Sequence, residues 1–248
     1  MERKRTDVRK LTGMALLTAV VVILQLLGAF IRFGPFSISL VLVPIVIGAA
    51  LYGAGAGAWF GFVFGLVVLL SGDASAFLVI NPVGTIVTVL LKGVLAGLCA
   101  GLVYRALSGR KSIAAASADG SAAEVKSAGA NYPAVILAAI VCPVVNTGIF
   151  LICCRVFFFP TILEWAASLG FENAGKYMIF GLVGGNFIFE LIFNIVLSPV
   201  IIRLLRIRKR SQAAEALTAN ADAAADCFKS VYQYGSHAAL RGGILNLS

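Results

Sequence analysis

Long apolar runs recur along this chain, and the first of them, Leu11–Ile31, contains no charged residue. A run of that length fixes the solvent. About 20 consecutive apolar residues, wound as a helix, match the hydrocarbon thickness of a bilayer. The same criterion gives further spans at about Ile38–Tyr52, Ala54–Leu70, Val83–Leu107, Ala134–Phe157 and Tyr177–Ile207. Across all 248 residues, 60% are hydrophobic and 12% charged. Soluble domains carry about 25% charged residues, so no soluble core could absorb this surface. The expected fold is an all-α membrane protein of six transmembrane helices.

The charges orient that bundle. Basic residues cluster in the N-terminal tail (Arg3, Lys4, Arg5, Arg9, Lys10), after the fourth span (Arg105, Arg110, Lys111, Lys126) and at the C-terminal exit (Arg203, Arg206, Arg208, Lys209, Arg210). With six spans, all three clusters fall on one side, which the positive-inside rule makes cytoplasmic. Both termini are then cytoplasmic in a multi-pass cell-membrane protein. The net charge of +9 is accounted for by this topology rather than by nucleic acid. The first run exceeds the ~7–15 residues of a signal-peptide core, which makes it a membrane helix.

Residues 108–131 are small and polar and are expected to form a cytoplasmic linker between two three-helix halves, inside a membrane domain of residues 1–210. Residues 211–248 form an Ala-rich polar tail, expected to be flexible. The five cysteines show no metal or disulfide spacing, and the single histidine, His237, lies in the tail. A histidine-based or metal-based enzyme is therefore not expected.

Two kinds of periodic residue stand out. Gly53, Gly57, Gly61 and Gly65 recur at four-residue intervals, as do Gly93, Gly97 and Gly101. Residues four apart share a helix face, so each set forms a groove for close helix packing. Ala15 and Ala19 form a shorter stripe on the first span, suited to packing or to docking another protein. The second kind is polar. Thr85, Thr88 and Lys92 lie on one face of the fourth span, and Asn186, Glu190 and Asn194 on one face of the sixth. Asn146 and Thr147 follow Pro143 in the fifth.

Lys92, Asn146 and Glu190 each lie about nine to thirteen residues from the outer end of their span, near mid-membrane at ~1.5 Å per residue. Charge at that depth costs at least ~2.5–3.5 kcal/mol on insertion scales. These groups are expected to face a shared polar pocket, with Lys92 and Glu190 either pairing at its floor or meeting a ligand. Arg32, Asp73, Ser75 and Asn81, in the outer loops, are candidate lid residues. So is the aromatic-rich stretch 157–173.

The six-span outline, the Ala15–Ala19 pair, the run ISLVLVPIVIGAALYGAGAGAWFGFVFGL, the segment VVNTGIF and the polar stripe of the sixth span together resemble one family. It is the substrate-binding S components of energy-coupling factor (ECF) vitamin transporters, over about residues 8–207. The resemblance implies a high-affinity vitamin-binding subunit of an ABC importer, with no cofactor in this chain. Its partners would be a shared transmembrane coupling protein and two ATP-binding subunits that use ATP. It implies that Ala15 and Ala19 face the coupling protein. The ligand would lie in the outer half, near Lys92, Asn146, Asn186, Glu190, Thr88, Asn81 and Arg32. The run across spans two and three is most similar to pantothenate-type members, whose carboxylate could meet Lys92 or Arg155. Riboflavin, stacked on the phenylalanines of FFFP, is second. Two other classes share the outline: a membrane scaffold of the MreD type, and an ion-coupled carrier acting as an oligomer with Glu190 as its proton site. Neither is an enzyme.

Overall fold

The computed structural model describes residues 2–30, 32–33, 36–37, 40–118, 132–207 and a few positions between 210 and 218. The chain divides into two compact units, Met1–Leu205 and Arg206–Ser248, and the second is described at only a few helical positions. The expected tail, 211–248, therefore lies almost wholly outside the described residues.

Among its described residues, the first unit is helical apart from one two-residue β-ladder and short turns. Helix α1 (Glu2–Phe30) leads into strands β1 (Arg32–Phe33) and β2 (Phe36–Ser37), which pair antiparallel. Helices α2 (Leu42–Tyr52) and α3 (Ala54–Leu70) follow, then the short α4 (Ser75–Leu78). Helices α5 (Pro82–Ala118), α6 (Tyr132–Phe157) and α7 (Phe159–Ser168) precede a final helical span, Ala174–Ile207.

Among the described residues, four helices are long and apolar enough to cross a bilayer: Lys10–Ala29, Pro82–Ser108, Tyr132–Phe157 and Ala174–Ile207. The other two expected spans are the shorter apolar helices α2 and α3, of 11 and 17 residues. At ~1.5 Å per residue they reach about 16 and 26 Å, against about 30 Å of hydrocarbon. They are separated because Gly53 adopts φ 97°. That left-handed value suits a residue without Cβ and interrupts the helix.

Helix α5 reaches into the expected linker. Helix α5 has 37 residues and continues through Ala118, so 108–118 is helical and only 119–131 falls outside the described residues. The segment SGRKSIAAASA is small and polar, but alanine and lysine are strong helix formers. They extend the helix past its apolar part.

Among the described helices the α3–α5 pair makes the most extensive contact, and the glycine stripes create it. A Cβ on Gly57 would strike the carbonyl of Gly97, and one on Gly61 would strike the carbonyl of Gly93; the reverse substitutions collide likewise. A Cβ on Gly65 would lie 2.9 Å from the Val89 carbonyl oxygen. As α3 ascends its contacts on α5 descend, so the two helices run antiparallel with backbones in direct contact, as the spacing predicts.

Two apolar cores result. The larger gathers buried residues of α1, α2, α3, α5, α6 and the end of the final span, with Phe60 and Phe64 fully enclosed. The smaller gathers Phe77, Phe150, Cys154, Phe158, Ile162, Ala166, Tyr177 and Leu182. In the smaller core Phe77 meets Phe150, Phe158 and Trp165 edge-on, with centroids 5.0–5.8 Å apart. Cys142, Cys153 and Cys154 are buried and unbridged, as expected of small apolar residues in a core.

Candidate functional site

Where the two cores meet they leave a cavity of about 70 Å³, room for several water molecules. Its walls draw on both cores: Phe64, Val68 and Val89 from one, Phe77, Phe150, Phe158 and Leu182 from the other. An aromatic and aliphatic wall with a few convergent polar groups is the usual build of a small-molecule site.

Those polar groups come from five places in the chain. Helix α5 contributes Thr85, Thr88 and Lys92, and α6 contributes Asn146 and Thr147. The final span contributes Asn186 and Glu190. Helix α1 brings Gln25, and the turn after α3 brings Asp73. Glu190 is 1% exposed and Asn146 5%.

The final span is shaped for this task. Asn173 caps its start, its side-chain oxygen accepting from the Lys176 backbone N–H at 2.8 Å, while Lys176 pairs with Glu172 on the surface. Residues Tyr177–Gly184 then form a π-helix, a wide-turn geometry frequent at functional sites. Its Leu182 and Val183 line the cavity, and one turn further on Asn186 and Glu190 follow. The Asn186 Nδ2 donates to Glu190 Oε1 at 3.0 Å. Below them Asn194 Nδ2 donates to the backbone carbonyl of Glu190, and the Ser198 hydroxyl to that of Asn194. The expected polar stripe therefore has two parts. Asn186 and Glu190 face the cavity; Asn194 and Ser198 are buried beneath it and bonded to their own helix.

Lys92 extends its ammonium over two phenylalanine rings, 5.1 Å from the centroid of Phe150 and 5.8 Å from that of Phe64. Such contacts stabilise a cation by about 0.5–2 kcal/mol. It also feels the opposite charges of Glu190 and Asp73. Thr85 and Thr88 donate to the backbone carbonyls of Asn81 and Gly84 at 2.8 and 2.6 Å, which leaves their oxygens as acceptors toward the cavity.

Of the residues the sequence singled out as ligand contacts, five converge here: Thr88, Lys92, Asn146, Asn186 and Glu190. Asn81 does not line the cavity. Its Oδ1 accepts from the Gly84 backbone N–H at 2.9 Å and caps α5, because the first turn of a helix beginning at Pro82 leaves N–H groups to satisfy. Asn81→Ala is expected to cost about 1 kcal/mol of stability and lower the melting temperature, while ligand affinity in equilibrium dialysis stays unchanged. The side chain of Arg32 lies outside the described residues; its backbone opens β1. Arg155 is exposed, stacked on Phe159 at 3.7 Å, and not part of the cavity wall. Asp73, expected as a lid residue, lines the cavity itself. Gln25 was not anticipated, although it is the one amide in an otherwise apolar first span. Its Nε2 donates to Asp73 Oδ2 at 2.7 Å, tying α1 to the turn after α3.

Ala15 and Ala19 do not line this cavity and are both exposed on α1. They belong to a helix that buries little of its apolar span.

A pocket of mixed polar and apolar lining inside a bundle of apolar helices is what a carrier of small molecules requires. The family model for the ECF transporter substrate-specific component matches residues 9–202. The chain belongs to this family. A search of curated proteins gave no match. As an S component it is a multi-pass membrane protein and the substrate-binding subunit of a transporter, not an enzyme. It works with the components of an ECF module, and the substrate class of the family is vitamins.

Proposed function

We propose that this S component captures a water-soluble vitamin from outside the cell in the cavity between α1, α3, α5, α6 and the final span. The liganded protein then docks on a shared transmembrane coupling protein driven by two ATP-binding subunits. The chain itself holds no cofactor, and ATP is used by the partners. All six apolar helices, α2 and α3 included, cross or enter the membrane, with both termini on the cytoplasmic side.

One observation carries this reading: Lys92, Asn146 and Glu190, which the sequence places near mid-membrane, line one cavity together with Thr88, Asn186, Gln25 and Asp73. A membrane scaffold would have no use for buried charge at that cost. The exposed Ala15 and Ala19 support a docking face, since small residues let a partner helix approach its backbone.

Two vitamins are suggested by the sequence. Lys92 offers a cation for the carboxylate of pantothenate. The four phenylalanines of the wall offer edges and faces for the ring of riboflavin. The test is mass spectrometry of small molecules carried through purification by the protein. One vitamin at near-stoichiometric amount is the expected result. A preparation that carries none and binds none when supplied would favour the scaffold.

A further inference from the structure

The polar groups of the cavity are not balanced between donors and acceptors. Two of its amides are oriented by carboxylates. Gln25, 1% exposed, gives its Nε2 to Asp73, and Asn186 gives its Nδ2 to Glu190. An ionised carboxylate only accepts, so each pair fixes which end of the amide is which. The carbonyl ends, Gln25 Oε1 and Asn186 Oδ1, are buried and have no hydrogen-bond partner. Asn146 Oδ1, on a side chain 5% exposed, is in the same condition. The threonine hydroxyls of α5 donate to their own helix and add acceptor oxygens.

The formal charges lean the same way. Among the described residues the wall holds two carboxylates, Asp73 and Glu190, and one ammonium, Lys92. That ammonium already has two aromatic faces and two opposite charges acting on it. A ligand carboxylate would meet Lys92 but would add a third negative charge to a low-dielectric space, and it would bring no donor to the three waiting carbonyl oxygens.

We propose that this cavity selects a flat, N–H- or O–H-bearing ring ligand with no negative charge, and that Asp73 and Glu190 set this choice by holding Gln25 and Asn186 as acceptors. The proposal rests on the reading of the cavity as the capture site. In it Asp73 and Glu190 are positioning residues, Gln25, Asn186 and Asn146 meet the donors, and the phenylalanines meet the ring.

The experiment is a titration of the purified full-length protein at neutral pH with four probes: riboflavin (uncharged), thiamine (cationic), pantothenate and biotin (both anionic). The expected result is that riboflavin or thiamine binds at least 100-fold more tightly than either anion. Asp73→Asn, and separately Glu190→Gln, should reduce that ratio 10-fold or more, because a neutral amide partner lets the neighbouring amide turn and removes a negative charge. The Glu190→Gln arm covers the case in which Asp73→Asn does not fold. Tightest binding of pantothenate or biotin would overturn the proposal while leaving vitamin capture standing. So would a ratio that neither substitution changes. Failure of the folded wild-type protein to bind any of the four would overturn the capture reading, and the proposal with it.

Discussion

Gly61→Leu is expected to leave no well-folded protein. The Cβ it adds would collide with the carbonyl group of Gly93 and lie 3.0 Å from the Val94 backbone nitrogen. These are main-chain atoms, so no side-chain rotamer relieves the clash. The two helices must separate, and the contacts along Gly57–Gly97 and Gly65–Val89 separate with them. Overpacking a well-filled interior costs about 1–3 kcal/mol where side chains can yield. Here backbone must move, so the cost lies at or above the top of that range. The check is size-exclusion chromatography and thermal melting in detergent, with Gly55→Ala as control. Gly55 is on the same helix with nothing within 4 Å of its would-be Cβ. That substitution should be neutral, or stabilising by about 0.4–1 kcal/mol through the unfolded chain. Equal behaviour of the two variants would show that the glycine seam does not hold α3 against α5.

Replacing Ala15 and Ala19 together by tryptophan is expected to abolish uptake while sparing binding. Both residues are exposed, four apart on the same face of α1, and neither lines the cavity. If a coupling protein packs its helices on this face, each bulky side chain holds the backbones apart. At about 1–3 kcal/mol for each overpacked position, the pair would weaken docking by about 2–6 kcal/mol, a factor of thirty or more. Radiolabelled vitamin uptake by cells carrying the whole transporter, set beside binding to the isolated subunit, separates the two effects. Uptake at the wild-type rate would remove the docking role from this face, and joint loss of binding would mean that α1 shapes the cavity through its packing.

Much of this architecture was legible in the sequence, for physical reasons that can be traced to residues. The glycine stripes announce close helix contact because four-residue spacing keeps small residues on one face, and in the structure they meet across α3 and α5. Lys92 and Glu190 announce a cavity because lipid does not tolerate them. Gln25 escaped notice because one amide costs far less than a charge and can be carried by a span without special meaning. Only the fold brings it to Asp73, 48 residues away. Asn81 caps α5 from the position before Pro82, a bond that its place in an outer loop does not announce. The length of α5 was hidden because hydropathy marks where a helix leaves the membrane, not where it ends. The π-helix at Tyr177–Gly184 had no sequence signal beyond its glycines.

The cavity we propose as the vitamin-binding site is built wholly from this one chain, so it can be tested by isothermal titration of the purified protein in detergent, with B vitamins supplied singly and no ion gradient or partner subunit present. One vitamin is expected to bind at one molecule per chain with submicromolar affinity. Phe77→Ala, which opens the aromatic wall at its centre, should weaken that binding at least 10-fold. A folded protein that binds no vitamin, or whose affinity is untouched by Phe77→Ala, would contradict that proposal.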